Sequence, residues 1–226
     1  MNDFSPHVVI PLLLWGTLVG LDLVSVPQAM ISRPLVAGVV SGMLAGDLEA
    51  GVRIGVLFEL FALDVLPAGA VRYPDYGPAT VGAVALGVGT PWELGLGISA
   101  ALGLVLAVLG GWSLQVVRRS NARAIQRRAA ALAAGESSAI RRLQYGGILR
   151  DTARGFVLTL AGLVLASTIA DSVRLDRQTA IAFTLVAIGS ALAAAASGAF
   201  RNSGRGSRLK WLVAGVATGV VLAVLV

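Results

Sequence analysis

Apolar stretches alternate with short polar breaks along the chain. Residues 7–24 are apolar with Asp22 embedded, residues 34–48 form a Gly-rich apolar run, and residues 51–69 form another. Neither of the last two is comfortably long enough to cross a bilayer core of ~30 Å, which takes about 20 helical residues. The punctuation from Gly46 to Gly51 therefore predicts a broken helix or a re-entrant pair. From Ala79 to Val117 an unbroken helix would measure ~58 Å at 1.5 Å per residue, so a break is expected there too. Thr90-Pro91-Trp92-Glu93 supplies it, with Thr90 as the expected N-cap, Pro91 at the first helical position and Glu93 closing a capping box.

Residues 118–154 interrupt the apolar pattern. Two apolar runs, 156–173 and 179–200, follow, joined by the polar turn Arg174-Leu175-Asp176-Arg177, which reads as a helical hairpin. A basic loop from Arg201 to Lys210 and a last apolar run over 211–226 complete the chain.

Composition changes the picture from many apolar helices to a membrane protein. Hydrophobic residues make up 56% of the chain, charged residues 13%, and mean hydropathy is +0.82, outside the usual range of soluble domains. The expected fold class is all-α: a polytopic transmembrane helical protein with broken helices and re-entrant segments, making about six to eight crossings, fewer if some segments only re-enter. One membrane domain over 1–226 is expected, divided into an N-terminal half over 7–117, an Arg-rich cytoplasmic connector over 118–154 and C-terminal helices over 155–226. Met1 to Ser5 carries no Lys or Arg, so the first apolar stretch is expected to stay in the mature protein.

The net charge of +6 does not point to nucleic acid. Arg118, Arg119, Arg123, Arg127, Arg128, Arg141, Arg142, Arg150 and Arg154 crowd one segment, opposed there by Glu136 and Asp151. That is the positive-inside pattern, without a nucleic-acid reading motif or aromatic platforms. Cysteine is absent, which excludes disulfides, thiolate metal sites and a phosphocysteine. No nucleophile–base pair, nucleotide loop or metal cluster is legible, so no enzyme activity, catalytic residue, metal or cofactor is expected of this chain.

Charged residues inside apolar sequence are the candidate chemistry, since each costs roughly 2.5–3.5 kcal/mol at the bilayer centre unless it meets protein, water or a substrate path. Asp47, Glu49, Arg53, Glu59, Asp64, Arg72 and Asp75 lie in or beside such stretches. Glu49 and Arg53 stand i,i+4 in the order that suits a self-neutralising pair. Glu59, within Val56-Leu57-Phe58-Glu59-Leu60-Phe61, has no basic residue within a helical turn. It must be protonated, paired across helices or bonded to a ligand. Gly38, Gly42 and Gly46 recur every four residues, a small-residue stripe that reads as a packing seam.

Residues 28–75 resemble the N-terminal signature of the membrane IIC subunit of the mannose/fructose/sorbose family of the phosphoenolpyruvate-dependent sugar phosphotransferase system. The resemblance is carried by the ISRP turn at Ile31–Pro34, Gly46–Gly51, the G-x-x-x-E-L at Gly55–Leu60, Leu66–Ala70 and Pro74-Asp75. It implies a permease subunit in the cell inner membrane, multi-pass, acting with a IID membrane subunit and with soluble IIA and IIB phosphocarriers on a sugar substrate. The phosphorylated histidines would belong to the soluble components, and His7 would be a boundary residue. By motif position Glu59 and Asp75 are assigned to sugar hydroxyls, with Gln28 as a further polar contact and Asp22 and Asp64 as secondary candidates. Two alternatives stay open at this level: a non-transporting scaffold or sensor that docks phosphotransfer proteins, and an ion-coupled transporter using Glu59.

Overall fold

The structure is a computed structural model and describes residues 5–65, 72–202, 210 and 214–215. The Arg201–Lys210 loop and the apolar run 211–226 lie almost wholly outside the described residues. Among the described residues every element is helical: α1 (Pro6–Asp22), α2 (Pro34–Leu44), α3 (Leu48–Ala62), α4 (Tyr76–Gly87), α5 (Trp92–Gln126), α6 (Ala129–Ala133), α7 (Ser137–Ser172) and α8 (Arg177–Asn202). Among the described residues, 3 helices, α5, α7 and α8, are long and apolar enough to cross a membrane. Two further apolar helices, α1 and α2, are shorter, which fits the lower number of full crossings expected when some segments only re-enter.

Residues 34–62 form a re-entrant pair. Pro34 starts α2, where its missing N–H is one the first turn cannot use anyway. The turn at Gly46, with φ +76, requires the left-handed backbone that glycine adopts without strain. Asp47 then caps α3 by accepting from the Ala50 amide at 3.0 Å. Its other oxygen accepts from the Gly89 amide at 3.0 Å, tying this tip to the α4–α5 turn. α2 and α3 run antiparallel with backbones in contact: a Cβ at Gly38 would stand 2.7 Å from Gly55 Cα, and one at Gly42 2.8 Å from Gly51 Cα. Gly38 and Gly42 are thus a packing seam within the subunit, whereas Gly46 forms the turn and a Cβ there would meet nothing within 4 Å.

The break after Gly87 falls where Pro91 predicts it, but the capping box does not form. Pro91, rather than Thr90, is the N-cap of α5, and no side chain caps the helix. The Glu93 carbonyl instead accepts from Thr184 Oγ1 of α8 at 3.0 Å.

The Arg-rich segment is helical rather than a loop. α5 continues to Gln126, α6 makes a short turn of helix, and α7 begins at Ser137. Arg154 and Asp151 leave the polar face altogether, for they are buried at 7% and 1% exposure. Below them α7 buries Gly155, Leu158, Thr159, Gly162, Leu163 and Ala166, one continuous helical stripe. α7 packs antiparallel to α1, with Gly155 against Gly20 and Gly16 against Thr159. One apolar core joins α1, α4, α5 and α7, with α2 entering through Ala37, and a second joins α3, α4, α5 and α8 around Phe58. The hairpin between α7 and α8 turns at Asp176, which accepts from the Thr179 amide at 3.0 Å and its hydroxyl at 2.6 Å.

Candidate functional site

Asp75 is the fixed point of the site. It is the N-cap of α4 and completely buried. Its amide donates to the Ala107 carbonyl of α5 at 2.9 Å, and Gly110 on the same helix leaves room for it: a Cβ there would come within 2.8 Å of Asp75 Cβ. Oδ2 accepts from Arg154 Nη1 at 2.6 Å. The guanidinium's planar fork is used three ways. Besides Asp75, Nε donates to Asp151 Oδ1 at 2.8 Å and Nη2 to the Gly20 carbonyl of α1 at 2.7 Å. Asp151 Oδ2 in turn accepts from Ser25 Oγ at 2.5 Å. One cation thus joins α1, the start of α4 and α7 in a space without water access.

Two carboxylates face that single guanidinium, leaving the cluster one formal negative charge in excess. Asp75 Oδ1 makes no hydrogen bond among the described residues, although the Gly77 amide acts on the carboxylate from the start of α4. A buried acceptor left this way costs about 1–3 kcal/mol, which a donor from a ligand would recover.

A cavity of about 120 Å³ adjoins Asp75, bounded also by Leu23, Arg33, Pro34, Val65 and Tyr76. Arg33 brings Glu59 into the neighbourhood. Glu59 pairs with the Arg33 guanidinium, and its Oε2 accepts from the Leu35 amide at 3.2 Å. Of the three states open to an acid in an apolar run, it adopts pairing across helices, and it satisfies a first-turn donor of α2 at the same time.

The other candidates take different positions. Asp22 is buried, and both its oxygens are engaged by backbone, accepting from Ala29 at 2.6 Å and Ser32 at 2.9 Å. It holds the loop in which Gln28 and Met30 adopt positive φ. Gln28 is exposed at that loop's surface, and Asp64 is half-buried in the turn after α3. Glu59, Gln28, Asp22 and Asp64 do not line the cavity; Asp75 does. Glu49 and Arg53 pair as their spacing predicts, with Arg53 5.5 Å from the Trp92 ring centroid.

Sequence reading missed Arg154, Asp151 and Ser25. Four residues after Arg150, Arg154 reads as one more topology-setting arginine. The available signal was its register: Asp151 and Arg154 are spaced i,i+3 and share the face that continues through Gly155 and Leu158. Helical rise puts Arg154 roughly 27 Å from the Ser172 end of α7, toward its Arg-rich end.

Larger hollows lie elsewhere. A cleft of about 610 Å³ opens between the extensions of α5 and α7, and one of about 300 Å³ lies where the α2–α3 tip meets the α4–α5 turn. Neither is lined by a buried polar atom lacking a partner.

Apolar spans, a re-entrant hairpin and a polar cluster sealed between helices define a polytopic helical membrane protein with an internal polar site. The chain belongs to the family of the sorbose-specific IIC component of the phosphotransferase system, whose model matches residues 7–200. Over 105 residues it is 30% identical to the sorbose-specific EIIC component of Klebsiella pneumoniae, covering 46% of this chain and 39% of that relative. The fructose permease IIC component of Bacillus subtilis is 32% identical over 44% of this chain and 36% of its own length. The mannose-specific EIIC component of Escherichia coli is 33% identical over 33% of this chain and 28% of its own. The matched regions therefore span well under half of these relatives. The fold is similar to that of the mannose transporter ManYZ, solved in complex with microcin E492, at a TM-score of 0.62 and 18% identity over 99% of this chain and 95% of that one. A second membrane protein gives a TM-score of 0.66 at 19% identity, covering 99% and 96%.

Proposed function

We propose that the chain is the IIC sugar permease subunit of a mannose-class phosphotransferase system. It binds a hexose-type sugar and translocates it across the cell inner membrane in step with phosphorylation by partner subunits. The observation that carries the reading is Asp75: a buried carboxylate whose Oδ1 has no hydrogen bond among the described residues, beside a cavity, in a chain of this family. Carboxylate oxygens suit sugar hydroxyls because each accepts more than one hydrogen bond.

The cavity of about 120 Å³ is smaller than the ~300 Å³ at which ligand pockets begin. A sugar enters only as the α2–α3 hairpin, which supplies Pro34 and Ala62 to its wall, moves against the α1–α4–α7 core, a step of the alternating-access kind. Glu59 contributes by holding Arg33 at the cavity wall, with Gln28, Asp22 and Asp64 shaping its approaches. The chain has no cysteine and one histidine. His7 Nε2 lies 3.1 Å from Ser5 Oγ at the start of α1, roughly 22 Å along the helix from Asp22. Phosphate is accordingly carried by soluble IIA and IIB partners, and a IID membrane subunit completes the translocation unit. The Arg-rich end faces the cytoplasm.

The test is equilibrium binding of D-mannose, D-fructose and L-sorbose to the chain reconstituted with its IID partner in nanodiscs. One of these sugars is expected to bind, and Asp75→Asn to weaken it at least tenfold, about 1.4 kcal/mol. Absence of binding by all three refutes the permease reading. Wild-type affinity in Asp75→Asn removes Asp75 from the site.

A further inference from the structure

We infer that Arg154 is a positioning residue for sugar recognition: it keeps Asp75 ionised through Oδ2 and leaves Oδ1 as the acceptor presented to a sugar hydroxyl. The inference rests on the sugar-binding reading of Asp75 and adds the group that makes that carboxylate usable.

A carboxylate with no exposed surface sheds its charge by taking up a proton unless a cation holds it ionised. Protonated, it accepts hydroxyl donors poorly. The charged and titratable groups around Asp75 are few. α7 brings Arg154 and Asp151, and the start of α2 brings Arg33 to the far wall of the cavity. Tyr73 and Tyr76 flank Asp75 in sequence and line the same cavity. From α5 the contacts are Ala107 and Gly110, both uncharged, and α1 reaches the cluster through the Gly20 carbonyl on Arg154. Asp151 opposes ionisation of Asp75, and Arg154 stands between the two. Its side chain is 3% exposed, and its remaining bonds, to Asp151 and the Gly20 carbonyl, fix the plane of the guanidinium. A lysine in its place keeps the charge but has no fork to serve three acceptors at once.

The experiment measures sugar affinity between pH 5.5 and 8.5 for the full chain with its IID partner in nanodiscs, using whichever of mannose, fructose or sorbose the wild type binds. Wild type should be flat across that range. Arg154→Gln should bind at least tenfold more weakly at pH 6 and recover as pH rises and Asp75 loses its proton, with Arg154→Lys intermediate. A purely structural role would lower the amount of folded, binding-competent protein and leave both the affinity of that fraction and its pH profile unchanged; that outcome overturns the inference. The double variant Arg154→Gln/Asp151→Asn restores the original charge balance of the cluster. The same pH criterion applies to it should Arg154→Gln alone not assemble. If Asp75→Asn binds like wild type, the sugar-site reading fails; if Asp75→Asn loses binding while the Arg154 variants keep wild-type affinity and a flat profile, only the role of Arg154 fails.

Discussion

Glu59 and Arg154 solve one problem in two ways. Each is an ionic group in apolar surroundings, and each finds a partner from a distant part of the chain. Glu59 meets Arg33 in a partly open pair, with side-chain exposures of 19% and 48%, so solvent screens it and its coupling should be about 0.2–1 kcal/mol. A double-mutant cycle over Glu59→Gln and Arg33→Gln, read by thermal unfolding, should show that coupling, and Glu59→Ala should lose more because the Leu35 amide loses its acceptor as well. Strict additivity of the two Gln variants would show that the pair contributes nothing. Arg154, by contrast, is sealed against two carboxylates, and removing one member of a buried pair costs about 3–5 kcal/mol. The sequence displays the difficulty of Glu59 because its neighbours are all apolar. It conceals Arg154 because the neighbours on one side are arginines, and only the helical register with Gly155 and Leu158 places it inside.

At the scale of elements, the glycine spacing of α2 and the interrupted apolar runs were readable because they follow from period and length alone. The partner of the seam was not, since nothing local says that Gly38 and Gly42 meet Gly55 and Gly51 rather than another chain. The geometry sets the expectation for Gly42→Leu: its Cβ would stand 2.6 Å from the Asp47 carbonyl oxygen. The clash is with backbone, so α2 and α3 must separate, at about 1–3 kcal/mol or more. Loss of thermal stability in the chain purified alone is the expected result. Normal stability alone, with a defect only in assembly, would move the seam to a subunit interface. The missed capping box has a similar origin, for Thr90-Pro91-Trp92-Glu93 has the right residues but Pro91 itself became the cap. Asp176 shows a cap that did form. Hydrogen bonds from the Thr179 hydroxyl and amide hold its carboxyl below the usual range. A depressed folded pKa means the stabilisation is present above the unfolded value near 3.9 and fades as pH falls through the folded one. Unfolding temperatures of wild type and Asp176→Ala should differ between pH 5 and 7 and draw together below about pH 4. A difference that stayed constant into acid would show that ionisation of Asp176 has no part in the cap.

The whole molecule is polar in a directional sense, and its orientation follows from where the arginines stand on helices that outrun the bilayer. α5 and α7, of 35 and 36 residues, measure roughly 52–54 Å, well beyond a ~30 Å core. Both are apolar toward Trp92 and Ser172 and basic toward Gln126 and Ser137. The excess length therefore forms one Arg-rich extension at a single end, which hydropathy foretold as a connector without showing that it was helical. Antiparallel packing adds what charge alone did not: α1 meets α7 with Gly16 beside Thr159 and Gly20 beside Gly155, so Ser5 lies toward the end that carries Asp176, opposite the arginines. In the proposed permease the Asp75–Arg154 cluster, near the Arg-rich end, takes the cytoplasmic side. With no native cysteine, single substitutions report this directly. Ser120→Cys should resist an impermeant thiol reagent applied outside intact cells, whereas Asp176→Cys and Ser5→Cys should both react. External labelling of Ser120→Cys would invert the whole arrangement and place Asp75 at the outer face, and labelling of Asp176→Cys without Ser5→Cys would contradict the antiparallel pairing of α1 with α7.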